Sequence, residues 1–464
     1  MSRAGAIASL RWMLGPIGVV VLALAAAYNM RYGPARFSTA DFRSFYQAGL
    51  DVRAGVDPYR AALGFVHAYR PNLSASYFAS QAYVYAPFFA LLMVPLTLLP
   101  GYAALTLWDV LNVAFLALAI HALLRAAGVR AGAGLTLILS AAAAVTLPLH
   151  REWDLGQTDV LLMALLGTSL WSRAAGRRAL AGFLLGAAAA IKPELLLLAV
   201  VLVWRREFRY GLASIAATLV LLLAPFALLA RSAWSSFWTV WRFWADQYLP
   251  FLHNEAPRGV LARLFTVNPV SPPLTAAPAA ETAVWILVVA VVVALLIGVT
   301  SPRPLHRDSL SLLEIGLSLE AIMLVSPLTE RPYFLLLIVP LVSILCWLRQ
   351  ADWKGSFVRR AALATAAIWI LLIGPAEVWE YAVDPGVSGT SRLADLYVVL
   401  APAYLWVTVA AFVLQLVVVA RARGLRVLPA VQETVRQTPV LLRDWVRDAG
   451  MALRTGRRGR PALS

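Results

Sequence analysis

The chain has 464 residues, of which 61% are hydrophobic and only 14% are charged. Soluble domains carry about a quarter charged residues, so this composition excludes a soluble globular protein and predicts a multi-pass membrane protein built from helices. The net charge of +16 is expected where cytoplasmic loops collect Lys and Arg, and it does not indicate a nucleic-acid partner. Cys346 is the single cysteine, which excludes an internal disulfide, and the five histidines show no metal-ligand spacing. We therefore expect neither a metal nor another cofactor.

Clusters of Lys and Arg set the predicted topology, because such clusters collect on the cytoplasmic side of a membrane. Seven occur, at 3–11, 125–130, 173–178, 205–209, 303–307, 349–360 and 421–426. An even number of crossings between neighbouring clusters predicts an all-α bundle of about twelve transmembrane helices with both termini cytoplasmic. The predicted spans are 12–31, 101–124, 131–149, 157–172, 179–191, 193–204, 210–230, 282–300, 309–326, 333–348, 361–375 and 397–420.

One apolar run, 83–99, has no place in this scheme as a span. Pro87 and Pro95 interrupt its helical hydrogen bonding, so we expect a juxtamembrane or re-entrant element in the first external loop. Spans 179–191 and 193–204 are short and are joined by Ile-Lys-Pro-Glu at 191–194.

Two external segments are predicted to form amphipathic helices beside the membrane. The first begins at Ser38, a Ser/Thr cap, with Asp41 three residues later and an apolar face at helical spacing. Asp41 can either cap this helix or act in catalysis, and the two are compatible. The second lies in 231–257 and carries Trp234, Trp238 and Trp241, which either anchor the chain among lipid headgroups or line an access path for a lipid tail.

Under this topology the polar residues that can perform chemistry fall in the external loops. Asp41 is the leading catalytic candidate, since a carboxylate at a partly dehydrated boundary can take a proton from a hydroxyl. Arg151 and Lys192 are candidates for holding a phosphate, although Lys192 has the alternative of snorkelling to the interface. Candidates for contacting an acceptor or lining a cavity are Arg43, Tyr46, Asp154, Asn254, Glu330 and Arg331.

The remaining ionisable residues of interest lie within apolar segments or in the tail. Asp109, Glu314 and Glu320 occur inside predicted spans, where such groups generally face a cavity or one another. After position 420 the chain has ten Arg against three acids, with an apolar stripe of Val431, Val435, Leu442, Val446 and Met451. We therefore divide the chain into a membrane domain, 1–420, and a basic cytoplasmic tail, 421–464, that rests on anionic lipid.

Five segments, in order, resemble the motifs of glycosyltransferase family 87, in the GT-C superfamily. They are Asp41-Phe-Arg-Ser-Phe-Tyr-Gln-Ala-Gly-Leu with Gly55-Val-Asp-Pro-Tyr, Tyr85-Ala-Pro-Phe-Phe, Gly156-Gln-Thr-Asp-Val-Leu, Ala190-Ile-Lys-Pro-Glu and Ser326-Pro-Leu-Thr-Glu. The family includes polyprenol-phosphate-mannose-dependent α-1,2-mannosyltransferases. The chain departs from it at Thr158, where Asn is frequent, and at Glu330-Arg331-Pro332-Tyr333, where a His-containing motif is usual.

This resemblance implies a GT-C-like fold and an inverting transfer of a hexose, with mannose expected, from a polyprenyl-phosphate donor. The acceptor would be a hydroxyl of a lipid or cell-envelope glycan on the extracytoplasmic face of the cell membrane. Asp41 matches the acid that acts as base in such enzymes. Tyr85, Gln157 and Lys192 match motifs expected near the donor phosphate and sugar, whereas the two departures bear on the sugar and the acceptor.

The main alternative is a transporter or flippase of a lipid-linked sugar. Transporters commonly contain repeats with polar sites near the membrane midplane, but this sequence shows no convincing internal repeat and its polar residues lie at one edge. A third alternative, a scaffolding protein, leaves this one-sided cluster unexplained. The sequence therefore predicts an enzyme.

Overall fold

The computed structural model of the protein describes residues 15–27, 33–68, 82–130, 132–251, 253–268, 271–300, 308–374, 378 and 402–455. Regular structure in these ranges is entirely helical, which confirms the predicted all-α class. The helices are α1 (Gly15–Ala27), α2 (Gly33–Thr39), α3 (Phe42–Arg53), α4 (Arg60–Ala68), α5 (Pro87–Met93), α6 (Gly101–Ala126), α7 (Ala133–Ala144), α8 (Leu147–Leu155), α9 (Asp159–Ala174), α10 (Arg178–Ile191), α11 (Leu196–Trp204), α12 (Phe208–Leu223), α13 (Ala233–Tyr248), α14 (Pro257–Phe265), α15 (Pro278–Val299), α16 (Asp308–Val325), α17 (Ile338–Leu348), α18 (Ser356–Ile373), α19 (Ala403–Ala422) and α20 (Val427–Thr455).

Six helical segments of the described chain are long and apolar enough to cross a membrane. They are Gly101–Ala126, Phe208–Leu228, Pro278–Val299, Arg331–Leu348, Ser356–Ile373 and Ala403–Ala422. Each coincides with a predicted span, although 397–401 of the last one lies outside the described residues. Helices α7 and α8 together pass the same test, but they are bent by 78° at the break between them.

The predicted count of about twelve spans is therefore not confirmed. The other predicted spans correspond to helices that are short, such as α9 with 16 residues, α10 with 14 and α11 with 9. Helix α16 has 18 residues but carries three acids, Asp308, Glu314 and Glu320. The first predicted span, 12–31, lies partly outside the described residues; its described part, α1, is a short apolar helix.

Helices α10 and α11 form a hairpin whose tip is Lys192. Gly182 and Gly186 of α10 lie against Ala213 and Ala217 of α12, so these two helices run in the same direction. Helix α11 packs beside the start of α12 and joins it through a short link, so α11 runs the opposite way. The basic residues that flank such a hairpin lie on one side of the bilayer whether the two helices cross it fully or only partly. The charge of the loops alone therefore could not distinguish a short hairpin from two spans.

The basic clusters gather at one end of the bundle, which we call the basic end. Arg173 forms a two-pronged ion pair with Glu207, with Nε and Nη2 each 2.6 Å from a carboxylate oxygen. Arg205 and Arg423 both contact Glu314, at 2.5 and 3.5 Å. These contacts bring the clusters 173–178, 205–209 and 421–426 together.

Two further clusters belong to the same end through cation–ring contacts. The Arg125 guanidinium lies 6.0 Å from the ring centre of Trp171, in the last turns of α9. Arg421 lies 5.8 Å from the ring centre of Phe357, at the start of α18. The clusters 3–11 and 303–307 lie outside the described residues. Because the α10–α11 hairpin starts and finishes at the basic end, its tip at Lys192 marks the opposite end, which we call the site end.

The first loop corrects the predicted helix start. Helix α3 begins at Phe42, with Asp41 at the position before it, and the Asp41 carboxylate makes no capping bond to the helix. Ser38 belongs instead to the preceding α2, where its hydroxyl donates to the Ala35 carbonyl at 2.7 Å. The capping interpretation of Asp41 is therefore wrong, and its carboxylate is available for another partner.

The remaining loop elements close around α3. The run 83–99 forms the short α5 and a 3₁₀ turn, Val94–Leu98, which together are shorter than a span. Its juxtamembrane or re-entrant placement stays a prediction. Asp57 accepts hydrogen bonds from Ser232 at 2.7 Å and Ser236 at 2.6 Å, which fastens the first loop to α13. The exposed Trp234, Trp238 and Trp241 lie on α13, where their anchoring or lining role stays a prediction.

Candidate active site

The site forms at the site end from chain segments where helices begin or end. Asp41 precedes α3, Tyr85 precedes α5, and Gln157 lies in the turn between α8 and α9. Lys192 is the tip of the hairpin, and Glu330 precedes the 3₁₀ turn Arg331–Leu337. The structure therefore brings together five sequence-predicted residues that span nearly 300 positions.

A chain of hydrogen bonds leads to the Asp41 carboxylate. The Gln157 amide nitrogen donates to Oδ2 of Asp41 at 2.7 Å, and the Gln157 amide oxygen accepts from the Tyr85 hydroxyl at 2.8 Å. The Tyr85 carbonyl in turn accepts from the Tyr59 hydroxyl at 2.8 Å, and the Trp108 indole donates to the Gln157 carbonyl at 3.1 Å. Both ends of the Gln157 amide are thus engaged, so the carboxylate is held in a defined orientation.

Gly156, whose backbone is in the left-handed conformation, places Gln157 at this position. Gly156 follows α8 with a φ of 63°, which side chains with a Cβ rarely adopt. A Cβ added there would also lie 2.7 Å from the Cβ of Phe42, the first residue of α3. Glycine is therefore required both for the turn and for the close approach of Asp41 and Gln157.

The environment of Asp41 raises the pKa of its carboxyl group to about 7. Burial is the largest cause, and the negative charge of Glu330 adds to it. The hydrogen bond from Gln157 and the positive charge of Lys192 oppose this shift by stabilising the ionised form. An acid with a pKa near neutrality is suited to accepting a proton during a reaction.

The pKa of the Glu330 carboxyl group is shifted in the same direction as that of Asp41. Burial is the main reason why its pKa rises to about 7, while Lys192 and a hydrogen bond from Tyr248 act in the other direction. Tyr248 is the last residue of α13, and it is buried. The tryptophan-bearing helix α13 therefore reaches the site through Tyr248.

Lys192 is buried and already paired. Its ammonium lies 2.8 and 2.9 Å from the two carboxylate oxygens of Asp159, and 3.3 Å from the centre of the Tyr333 ring. Glu152, also fully buried, accepts from the Val160 backbone nitrogen at 3.1 Å. Lys192 is thus enclosed by a carboxylate and an aromatic face, so its snorkelling to the interface is excluded in this structure.

A small, largely apolar cavity adjoins Lys192. Its wall includes Leu319, Ile322 and Met323 of α16, and Tyr333 and Glu194 at its polar edge. The Tyr333 hydroxyl donates to the Glu194 carboxylate. The cavity therefore pairs an apolar wall with the most strongly enclosed cation of the site.

Two arginines, Arg151 and Arg331, are carried by neighbouring elements of the site. Helix α8, which carries Arg151, packs against the 3₁₀ turn that begins at Arg331. Partial desolvation and then the charges of Arg331 and Arg151 lower the pKa of His253 to about 4, so both guanidiniums act electrostatically on the same imidazole. Arg151 also lies 3.8 Å from Asp154, and Arg331 lies 3.4 Å from Glu255. Each of the two arginines thus lies beside an acid, and the elements that carry them are packed together.

Other predicted candidates have structural partners. Asn254 is fully buried and uses its amide to bind the Leu249 and Pro327 carbonyls and the Ala256 and Thr329 backbone nitrogens. The Tyr46 hydroxyl donates to the Leu99 carbonyl at 2.7 Å, and Arg43 is exposed. The Asp154 carbonyl accepts from Arg36 at 3.3 Å. These residues shape the loops around Asp41.

The acids predicted inside spans lie outside this constellation. Asp109 forms a two-pronged pair with Arg36, with both contacts at 2.7 Å. Glu314 belongs to the basic end, and Glu320 is buried, with neither carboxylate oxygen hydrogen-bonded within the described structure. The described residues contain no group of His, Cys, Asp and Glu that could hold a metal ion.

The sequence prediction missed three side chains of the site. They are Glu152, Asp159 and Tyr333. Asp159 belongs to the Gly156-Gln-Thr-Asp-Val-Leu motif and Tyr333 ends the Glu330-Arg331-Pro332-Tyr333 segment, yet neither was assigned a role. The available signal was the Gly156-Gln-Thr-Asp motif itself, in which an acid follows Gln157 by two residues. The pairing of Asp159 with Lys192 depends on the packing of α9 against α10, which the spacing of residues in the sequence does not reveal.

Comparison with known proteins gives one match. The profile of glycosyltransferase family 87 matches residues 83–327, more than half of the chain. No curated protein and no solved structure matches the chain. The matched range contains Tyr85, Gln157 and Lys192, whereas Asp41 precedes it.

Proposed function

Because the chain belongs to glycosyltransferase family 87, and so is a membrane glycosyltransferase, we propose that it moves a hexose, in particular mannose, from a polyprenyl-phosphate donor to a hydroxyl acceptor. In this proposal Asp41 is the general base and the sugar is transferred with inversion. The acceptor is a lipid or cell-envelope glycan. Family membership also favours the enzyme over the transporter or flippase.

The observation that carries the proposal is the Asp41–Gln157 hydrogen bond of 2.7 Å in a partly buried setting. It fixes the carboxylate, and the surroundings raise the carboxyl pKa to about 7. At neutral pH a substantial fraction of the Asp41 carboxyl groups is then ionised, and the carboxylate is a stronger base than that of an ordinary aspartate. The Asp41 side chain is also partly exposed, and the positive charge of Lys192 acts on it.

The reaction requires one displacement at the anomeric carbon. The acceptor oxygen forms a bond to that carbon while the bond between the carbon and the phosphate oxygen breaks. The hydroxyl proton passes to the Asp41 carboxylate, and the bonding electron pair leaves with the polyprenyl phosphate. Since the acceptor attacks from the side opposite the phosphate, the configuration inverts.

Arg151 and Arg331 are the residues that we assign to the departing phosphate. The helix that carries Arg151 packs against the turn that begins at Arg331, and a guanidinium presents a fork of donors that suits phosphate oxygens. Lys192 is enclosed by Asp159 and Tyr333, so in our proposal it acts at longer range by stabilising negative charge beside Asp41.

The proposed orientation places the site end outside the cell membrane and the basic end in the cytoplasm. Five of the seven basic clusters are joined by contacts at the basic end, and such clusters favour the cytoplasmic side. The Asp41 region lies at the opposite end of the same bundle. Both chain termini would then be cytoplasmic.

The test is transfer of radiolabelled mannose from synthetic polyprenyl-phosphate mannose by membranes containing the wild-type chain, with products resolved by lipid extraction. Asp41→Asn should lower the rate by about two to four orders of magnitude. Asp246→Asn is the matched control, because Asp246 is an exposed acid on α13 at the same end. Equal transfer by wild type and Asp41→Asn would remove Asp41 from the mechanism, and transfer only from a nucleotide-linked sugar would overturn the proposed donor.

A further inference from the structure

The last described helix, α20, has three distinct faces along its 29 residues. One face contacts the bundle, a second is apolar and exposed, and a third carries arginines. A helix with this division is typical of chains that lie in the plane of a membrane surface. The role of α20 is independent of the sugar-transfer reaction.

The first face fastens α20 to the basic end. Val431 lies against Gly298 near the end of α15, where a Cβ on that glycine would clash with it. The Trp445 indole donates to the Val203 carbonyl at 3.1 Å, and Asp448 pairs with Arg206 at 2.6 Å. The helix is therefore held along the base of the bundle at two separated points.

The second face is apolar and only partly covered by protein within the described structure. Leu428, Leu442 and Val446 are 70%, 46% and 63% exposed. Their spacings of 14 and 4 residues place them on one stripe of a helix with 3.6 residues per turn. Val431, predicted for the same stripe, lies against Gly298 of the bundle instead, and the side chains of Val435 and Met451 are outside the described residues. Exposure of such a stripe to water is unfavourable, whereas the boundary between lipid headgroups and acyl chains would bury it.

The third face lies immediately beside this stripe and is basic. Arg436, Arg443 and Arg447 recur at spacings of seven and four, and all three are exposed. Arg447 is also 3.3 Å from Asp444 in the preceding turn. Arginines next to an apolar stripe sit at headgroup depth when the stripe is buried in lipid, where they meet phosphate groups.

We propose that α20 lies in the lipid surface at the basic end, with its apolar stripe inserted and its arginines binding anionic phospholipid. The occupant is a lipid leaflet, because an apolar stripe flanked by arginines complements anionic headgroups above acyl chains. The two fastening points fix which side faces the lipid, since Val431 and Trp445 occupy the bundle-facing side. Each arginine near an anionic surface strengthens the interaction by about fivefold.

The first test measures depth in the full-length protein in nanodiscs of phosphatidylcholine with phosphatidylglycerol. A cysteine at Val446 or at Gln437 carries an environment-sensitive fluorophore, and buried Cys346 provides the unlabelled background. Gln437 is an exposed polar position on another side of the helix. We expect blue-shifted emission, quenched by brominated lipid, for V446C and not for Q437C. Equal, water-like emission from both would overturn the proposal.

The second test measures lipid selectivity by co-purification of phosphatidylglycerol from mixed nanodiscs. Replacing Arg436, Arg443 and Arg447 with Gln should reduce the bound anionic lipid by at least about fivefold. The control replaces Arg177 and Arg178, which are exposed at the basic end but lie at the start of α10. An equal loss in both variants would assign the effect to the charge of the whole end, and no loss in the α20 variant would refute its lipid contact.

Discussion

The side-chain amide of Gln157 donates to the carboxylate of Asp41 at 2.7 Å, across 116 positions of the chain. The same amide accepts from Tyr85 at 2.8 Å, so it cannot rotate without losing one partner. Three segments between helices are thereby coupled to a single carboxylate oxygen. The bond favours the ionised form of Asp41, while burial and Glu330 favour the protonated form.

Gln157→Ala should move the acid limb of the pH–rate profile to higher pH. Only ionised Asp41 can accept the proton, so the rate of sugar transfer rises as pH increases through the carboxyl pKa, near 7 in the wild type. Loss of a hydrogen bond to a charged group raises that pKa and should lower the rate at neutral pH about tenfold. Gln437→Ala, on exposed α20, is the control and should leave the limb unchanged. An unshifted limb in Gln157→Ala would show that the amide does not stabilise the base.

Glu330→Gln should have the opposite effect. Removal of its negative charge makes ionisation of Asp41 easier, so the acid limb of kcat/KM should move to lower pH. The limb should stay above the ordinary aspartate value of 3.8, because burial is the larger cause of the shift and remains. Glu433→Gln removes an exposed acid on α20 and should leave the profile in place. An unmoved limb would show that the charge of Glu330 does not act on Asp41, and loss of both activity and the limb would make Glu330 the base.

Gly156→Ala and Gly176→Ala form a matched pair of variants. Both glycines have positive φ, 63° and 79°, so each substitution should cost about 1–2 kcal/mol of stability through the backbone. A Cβ at Gly156 meets Phe42 at 2.7 Å, whereas nothing lies within 4 Å of one at Gly176. We expect Gly156→Ala to lose most transfer activity, because the turn and α3 must separate, and Gly176→Ala to keep it. Purified protein and thermal unfolding in detergent would separate activity from folding, and equal activity of the two variants would contradict the role of the turn.

Long apolar runs made the principal helices predictable. Gly101–Ala126 and Pro278–Val299 have both the length and the hydropathy of a span, so local composition determines them. The α10–α11 hairpin was harder, because two short apolar helices with basic flanks satisfy the charge rule as two crossings or as a hairpin. The predicted count of twelve spans depended on that ambiguity.

The site was predictable to the extent that topology gathers loops at one end. Asp41, Gln157 and Lys192 were expected on one face, and their convergence in the structure agrees with that expectation. What the sequence could not provide was the partner of each group. Lys192 was expected to face a phosphate, but it lies between Asp159 and Tyr333, because the packing of α9 and the 3₁₀ turn closes over it.

The Lys192–Asp159 pair allows stability and catalysis to be separated. The two side chains are 4% and 0% exposed, so Lys192→Met leaves a buried carboxylate without its partner. Breaking such a pair typically costs about 3–5 kcal/mol. Thermal unfolding in detergent should show this loss, and adding Asp159→Asn should restore most of it, because the unpaired charge is then removed.

In the double variant Lys192→Met/Asp159→Asn, the pH dependence of sugar transfer should stay altered although stability is restored. Lys192 lowers the pKa of Asp41, so its absence should leave the acid limb of kcat/KM at higher pH even when the fold has recovered. Arg173→Met is the matched control, because Arg173 pairs with Glu207 at the basic end and its loss should affect stability without moving the limb. If the double variant regained both stability and the wild-type pH profile, Lys192 would be a structural residue alone. If the limb stayed displaced, the buried ammonium would be a positioning charge for the base.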